Sequence, residues 1–551
     1  MKYDVLIKDG FVVDGTSAPW YRSDVGVRDG RIVEACRNLP VSGADRVIDA
    51  KGLVVCPGFF DMHSHSELSY FAFPTAPAKI MQGVTTEFNC DCGLSCAPLR
   101  GIVIDEQKDL SERWYGKSLD IDWRSVAEYH GRIEEMGVSI NSCFQVGFGT
   151  VRKGVMGYEN RAPTKDELDE MKALVEEGMR DGAFGMSTGL MYTPQNFAET
   201  DEVIELAKVV AKYGGIHTSH HRRRGFTGDP RGGRDFVVPG MDTQLEGVRE
   251  VIRIGEEAGI PTTWSHAKLA GRANWGQHQA DCFKEIEDAR RRGVDAVIDA
   301  YPWTYRGGLV EERGMPTWAF EGGYERLVER LKDPETRKEL KRITKQNMES
   351  IQAEHSWENT LILRVEKEEN KEFIGKSLAE VGAMLDKDPC DVYFDLLIDE
   401  HPVSPRGISE AMCEDDVRRF MQHPLVMIST DGGQAPEGKL THPRGYGTYP
   451  RILRKYVREE RAVRLEEAVR KMTSYSAGHL GIMDRGIIRP GFWADITIFD
   501  PINVRERATY LDPLQYPEGI PYVIVNGVVT VDDGEHTGAL AGKPLKHKYH
   551  I

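Results

Sequence analysis

The chain has 551 residues, 40% of them hydrophobic and 29% charged, with a net charge of −16. This is ordinary globular composition and excludes a disordered, collagen-like or small disulfide-scaffold chain. Three further features narrow the class. The negative charge is spread along the sequence, which argues against a nucleic-acid partner. No apolar run reaches the roughly 18 residues of a membrane span. MKYDVLIKDG at the start has no secretory h-region, so the nine cysteines fit reduced thiols of a cytoplasmic protein.

In chain order, residues 4–34 hold short β-type runs punctuated by Asp-Gly, as in VGVRDGRIVEA. Residues 494–532 repeat the pattern in ADITIFD and YVIVNGVVTV. Asp-Gly and Asn-Gly between apolar runs predict hairpins, because both turn residues take positive φ. Strands at both ends predict one small β domain made from the two termini. Between them, strands are expected at 54–61, 84–90 and 142–147. Thr164–Glu167 is a capping box for a helix ending near Asp181-Gly182, and the strand AFGMSTG follows. Thr200 is expected to cap the next helix, which stops at Gly214-Gly215 before IHTSH. A second capping box, Thr243–Glu246, opens a helix ending at Ala258-Gly259 before PTTWSH. A helix ending at Arg292-Gly293 precedes VDAVIDAYP, and a last strand falls at 425–430.

Eight strands alternating with helices predict a (β/α)8 TIM-like barrel, with a doubly wound open sheet as the alternative. No Gly-x-Gly-x-x-Gly follows the first strand, so a dinucleotide site is not expected. The expected division is a β-sandwich domain from residues 1–56 and 486–551 and a barrel from 57–485. A charged helical insertion is expected around 310–420.

The chemistry starts at His63-Ser64-His65. Residues i and i+2 of a strand share a face, so two imidazoles at a strand end can hold one metal ion. His220, His266 and Asp431 are each the first strongly polar residue after an apolar strand. In a barrel, such positions open onto the active-site face. Each alone is more often a helix cap or a satisfied loop residue than a ligand; together they favour a borderline-hard metal, most naturally Zn²⁺. Cys90, Cys92 and Cys96 follow the second strand. They read as buried thiols, as a separate cluster, or as one thiolate joining the histidines; Cys90 and Cys92 share strand parity.

PGFFDMHSH, QGVTTEFNCDCGLSCAP, STGLMYTP, GGIHTSHHR, SHAKLAG, DAYPWT, STDGG, HPRGYGTYPRIL, LEEAVRKMTS and DRGIIRPGFWADITIFDP occur in this order. Through them the chain resembles the N-acyl-D-amino-acid deacylases (D-aminoacylases) of the amidohydrolase superfamily over nearly its whole length. The resemblance implies one metal site of His63, His65 and Asp431 and another of Cys92, His220 and His266, holding one or two Zn²⁺ ions. AFGMSTG has no lysine to bridge two metals, which favours a cysteine bridge. Tyr192, Lys268, Tyr301 and Arg444 are implied to hold a small anionic substrate, with Arg444 able to grip a carboxylate bidentately.

The implied activity is amide hydrolysis of an N-acyl-D-amino acid by metal-bound hydroxide, with Asp431 moving the proton. Ring opening of a small cyclic amide or cyclic 1,3-diketone is the alternative, and a non-catalytic scaffold a third. Two departures from the family pattern flank the expected pocket: Arg223-Arg224 where an acidic pair is usual, and Tyr305-Arg306-Gly307-Gly308 after DAYPWT. A homo-oligomer is left open.

Overall fold

Strands from both ends of the chain interleave in one nine-stranded sheet. The structure is a computed structural model and describes residues 2–115, 119–222, 243–309, 314–349, 356–436 and 439–548. Tyr3–Val12 pairs with Tyr21–Arg28, while Val54–Pro57 runs antiparallel to Ile496–Phe499. Val5, Ile7, Val25, Val27, Ile496 and Ile498 share one buried cluster, as a period of two requires. Asp29-Gly30 and Asn526-Gly527 make the expected turns, with positive φ at all four residues. Asp9-Gly10 behaves differently. It lies inside Tyr3–Val12, where the pairing register shifts, so it forms a bulge and not a hairpin.

The middle of the chain supplies parallel strands. Phe59–Ser64, Val84–Asn89 and Asn141–Phe144 form one array. Val146–Gly147, Gly185–Gly189, Ile216–His220, Thr262–Trp264, Ala296–Ala300 and Val426–Ile428 form a second. The helices Lys165–Arg180, Thr200–Ala211, Thr243–Ala258 and Gln279–Arg291 alternate with this second array. Ile216–His220 and Ala296–Ala300 are buried at every residue, which is the pattern of strands covered on both faces. The two arrays meet at both edges. Phe184 N donates to Phe144 O at 2.8 Å, and Asp431 N donates to His63 O at 2.9 Å beside a parallel Ser64–Gly432 bridge.

Some boundaries differ from the sequence expectation. The run 54–61 divides at Gly58, which passes so close to Thr85 that a Cβ there would lie 2.2 Å from its Oγ1. Val54–Pro57 joins the terminal sheet and Phe59–Ser64 the parallel one. The run 142–147 likewise divides into Asn141–Phe144 and Val146–Gly147. Thr164 and Glu167 form the expected capping box. Thr200 does not cap its helix. Glu199 holds that position, and the Thr200 hydroxyl is drawn to the Glu250 carboxylate at 2.7 Å, a charge-assisted bond. The stretch expected as a helical insertion is mixed, holding strands as well as helices. Tyr305–Leu309, Thr360–Arg364 and Arg406–Glu410 make a three-stranded antiparallel sheet, and a separate apolar cluster includes Leu331, Leu340, Phe394 and Leu397. Near the end of the chain, Pro544–Leu545 leaves the terminal sheet and pairs with Asn141–Phe144. No helix among the described residues is long and apolar enough to cross a membrane.

A buried lysine joins the first parallel strand to the last. Lys79, 1% exposed, donates to Asp61 Oδ2 at 2.6 Å, Gly432 O at 2.8 Å, Thr430 Oγ1 at 2.9 Å and Ser64 Oγ at 3.0 Å. It also pairs with Glu87 at 2.8 Å. Asp61 accepts from Thr430 N at 2.8 Å. Lys79→Met would leave two buried carboxylates uncompensated and is expected to cost about 3–5 kcal/mol, read from the denaturant midpoint.

His217 lies between Thr188 Oγ1 and Thr262 Oγ1, each at 3.0 Å, and burial lowers its pKa to about 3. In the unfolded chain its pKa is about 6.5. Its neutral form therefore contributes stability that is fully present above about pH 6.5 and lost as pH falls towards 3. The urea midpoint is expected to drop between pH 7 and pH 4, and to drop less in His217→Gln. An equal drop in both proteins would exclude this contribution.

Candidate metal centre

His63 lies in Phe59–Ser64, and His65 follows it. Cys92 comes after Val84–Asn89, His220 ends Ile216–His220, His266 follows Thr262–Trp264, and Asp431 follows Val426–Ile428. Each donor therefore stands at the C-terminal end of a parallel strand. Cys92, His266 and Asp431 have φ of 56°, 35° and 50°. Such left-handed backbone is costly outside glycine and gathers at functional sites. Two glycines let neighbouring segments close in. A Cβ on Gly189 would lie 2.2 Å from Cys92 O, and one on Gly433 would lie 2.6 Å from His65 O.

The structure brings all six donors together. Cys92 Sγ lies 3.4 Å from His63 Nε2, 3.3 Å from His266 Nε2 and 3.6 Å from His220 Nδ1. Asp431 Oδ1 lies 3.7 Å from His63 Nε2 and 3.5 Å from His65 Nε2. Ligands of one tetrahedral zinc ion, with Zn–S near 2.3 Å and Zn–N near 2.0–2.1 Å, sit about 3.5 Å apart. The spacing and the chemistry, one thiol with imidazoles and a carboxylate, both suit zinc. His63, Cys92 and His266 form one compact group, and His63, His65 and Asp431 another. His63 thus stands near both sets, where the expected division placed it in one. Cys90 lies in the apolar core cluster beneath, so the geometry selects Cys92.

Burial holds His63 and His266 well below the ordinary imidazole pKa, so both are neutral, the form that binds a metal. For Asp431, burial works to raise the pKa, but the Arg444 guanidinium and His65 outweigh it and keep the carboxyl ionised. Arg444 Nη1 pairs with Asp431 Oδ2 at 2.6 Å, and the guanidinium lies 4.8 Å from the Tyr301 ring centre. Lys268 Nζ lies 2.7 Å from His266 Nδ1 and 5.5 Å from the same ring. The Tyr192 hydroxyl is 3.0 Å from His220 Nδ1. The four expected substrate residues therefore all stand beside the donors. Arg306 lines the same cavity, whereas Arg223-Arg224 falls outside the described residues.

Two carboxylates behind His63 were not singled out from the sequence. Asp91 Oδ1 lies 3.4 Å from His63 Nδ1 and accepts from Gln145 at 2.7 Å. Asp299 accepts from His266 N at 2.8 Å and from Ser429 Oγ at 2.6 Å, and burial raises its pKa to about 7. Each carried a signal: Asp299 is a charge inside the apolar strand VIDA, and Asp91 lies between two cysteines.

A family model described as the amidohydrolase family matches residues 46–228 and 378–531. An N-acyl-D-glutamate deacylase of Alcaligenes xylosoxydans xylosoxydans is 34% identical over 532 residues, 96% of this chain and 93% of that one. A D-aminoacylase of the same organism is 31% identical over 551 residues, 98% of this chain and 97% of that one. The crystal structure of N-acyl-D-glutamate deacylase from Bordetella bronchiseptica, complexed with zinc and a phosphonate mimic of the tetrahedral intermediate, matches with a TM-score of 0.78. Its identity is 30%, over 99% of this chain and 100% of that one.

Cys92→Ala removes the atom that three imidazole nitrogens approach. The purified variant is expected to hold less than half the zinc of the native protein by elemental analysis, whereas Cys90→Ala keeps it. Equal zinc in the native protein and Cys92→Ala would contradict this donor assignment.

Proposed function

The chain belongs to the amidohydrolase family, and from that membership we propose that it is a metal-dependent hydrolase cleaving the amide of N-acyl-D-amino acids. We read the parallel strands as a closed (β/α)8 barrel, with the sheet of both termini as a separate small domain. The observation that carries the reading is the convergence of His63, His65, Cys92, His220, His266 and Asp431 at strand ends beside Arg444 and Lys268. The six donors are proposed to hold one or two zinc ions. Bound zinc would lower the pKa of water towards about 7 and polarise the scissile carbonyl.

The chain's own residues supply the rest. Asp431, kept ionised by Arg444, takes the proton of the attacking water and returns it to the leaving nitrogen. Arg444 has donors beyond the one on Asp431 and, with Lys268, binds the α-carboxylate of the substrate. This grip fixes the scissile amide relative to Asp431. Tyr192 and Tyr301 wall the carboxylate end, Tyr301 lying beneath both cations.

The test is amine release from paired N-acetyl-D- and N-acetyl-L-amino acids. Hydrolysis of D-substrates is expected, abolished by a chelator and restored by zinc. Asp431→Asn should lower kcat by about 10²–10⁴-fold. A zinc-loaded preparation that released no amine from any D-substrate would refute the assignment.

A further inference from the structure

His442-Pro443 leads into the helix Arg444–Arg451, whose first residue carries the guanidinium beside Asp431. That helix starts without an ordinary cap. Its N-cap is Pro443, which makes no side-chain cap bond, so the first N–H groups need partners from elsewhere. His442 supplies one: its Nδ1 accepts from Arg444 N at 3.1 Å. Its Nε2 lies 2.9 Å from Tyr305 O, in the strand Tyr305–Leu309. A carbonyl only accepts and an N–H only donates, so these partners set the tautomer, with the proton on Nε2 and the lone pair on Nδ1. Burial and the Arg444 charge hold the imidazole well below its ordinary pKa, in the neutral form that this arrangement needs.

Packing keeps the ring in place. The rings of Tyr510, Trp303 and Tyr301 flank it at 5.5, 6.1 and 6.2 Å between centres. Gly307 lies against both residues: a Cβ there would be 3.5 Å from His442 Cβ and 3.7 Å from Arg444 Nη2. Pro443, with φ of −62°, stiffens the link between them. Thr448 Oγ1 donates to Arg444 O at 2.8 Å, so the Arg444 backbone is held at its N–H and at its carbonyl. His442 lines the cavity over the donors, but it is 6% exposed and both ring nitrogens are taken by backbone, leaving neither for a substrate. What depends on it is Arg444, whose guanidinium must meet Asp431 at 2.6 Å and the Tyr301 ring centre at 4.8 Å. A misplacement of about 1 Å in such a group can cost about 10²-fold in rate.

We propose that His442 is a positioning residue for the hydrolysis: its Nδ1 sets the backbone of Arg444, and with it the grip on the α-carboxylate of the substrate. Tyr305 O, at the other end of the ring, aligns the imidazole for that task. This rests on the deacylase reading above.

Two amide substitutions separate the two bonds. In His442→Asn the amide oxygen takes the place of Nδ1 and keeps the bond to Arg444 N. In His442→Gln the amide nitrogen takes the place of Nε2 and keeps only the bond to Tyr305 O. With zinc-loaded proteins and N-acetyl-D-leucine, His442→Gln is expected to raise KM by about 10-fold or more, and His442→Asn to stay within about 3-fold of native. In an Arg444→Met background, His442→Gln is expected to add less than about 2-fold, because the residue it acts through is gone. A ring that only fills space would give equal losses in Asn and Gln, and an effect that adds to that of Arg444→Met. Either result would overturn the positioning role, as would an unchanged KM in His442→Gln. Calorimetric dissociation constants for N-acetyl-D-leucine replace KM for any variant too slow to assay. If the native protein hydrolyses no N-acyl-D-amino acid, the deacylase reading fails. The same dissociation constants then decide the positioning role on the same criteria, and an absence of binding to the native protein would overturn it.

Discussion

A single buried ammonium group holds the donor end of the molecule in register. Backbone contact between the first and last parallel strands is thin there: Asp431 N to His63 O is 2.9 Å, while His65 N to Gly432 O stretches to 3.5 Å. Lys79 supplies what the ladder lacks. Its contacts are Ser64, which lies between the two histidines, and Thr430 and Gly432, which flank Asp431. Removing a lysine from water costs several kcal/mol, and only well-placed partners offset it. Here Asp61 and Glu87 do so, and Glu87 is itself held by the Ser64, Ser66 and Tyr70 hydroxyls at 2.5, 2.8 and 2.7 Å. The positions of three proposed zinc ligands are thus braced by Lys79, Asp61 and Glu87, which are not themselves among the donors.

The same end of the molecule meets opposing electrostatic demands by separating them in depth. Behind His63 lie the carboxylates Asp91 and Asp299, buried and able to orient imidazoles from beneath. In front stand Arg444 and Lys268, placed for an anion arriving from the cavity. Asp431 sits at the boundary. It faces the imidazoles through Oδ1 and Arg444 through Oδ2, so it stays ionised despite its burial. A carboxylate that touches both sides is suited to move a proton between them.

The sequence made much of this legible, and its failures have physical causes. Helix, glycine stop and apolar strand recur because each crossover needs a left-handed C-terminal residue, and Gly182, Gly214, Gly259 and Gly293 all have positive φ. The first polar residues after these strands, His220, His266 and Asp431, do gather beside His63, His65 and Cys92. Parity cannot choose between Cys90 and Cys92 because they share it, and in the structure alternation stops at Asn89, both cysteines having left-handed backbone, φ 68° and 56°. Lys79 was invisible because its helical turn, Pro77–Ile80, is four residues long and has no periodicity to read. The insertion's sheet was missed because two of the five residues in Tyr305–Leu309 are glycines, poor strand formers held by their partners.

The outer wall of the cavity rests on different ground from the donors. The donors rest on parallel strands whose side chains divide between the main core and a smaller cluster of Phe60, Met62, Ile216 and Met427, whereas the outer wall rests on a sheet with an apolar cluster of its own. Leu331, Leu340, Phe394 and Leu397 stabilise that wall without involving any strand that bears a donor. The two parts still touch: His442 Nε2 lies 2.9 Å from Tyr305 O in that sheet, and its Nδ1 accepts from Arg444 N at 3.1 Å. Residues that share a partner couple energetically, so a change in the sheet is felt at Arg444 through His442. On the deacylase reading proposed above, the hydrolytic step would sit at the strand ends, and the cavity's outer wall would face the rest of the substrate.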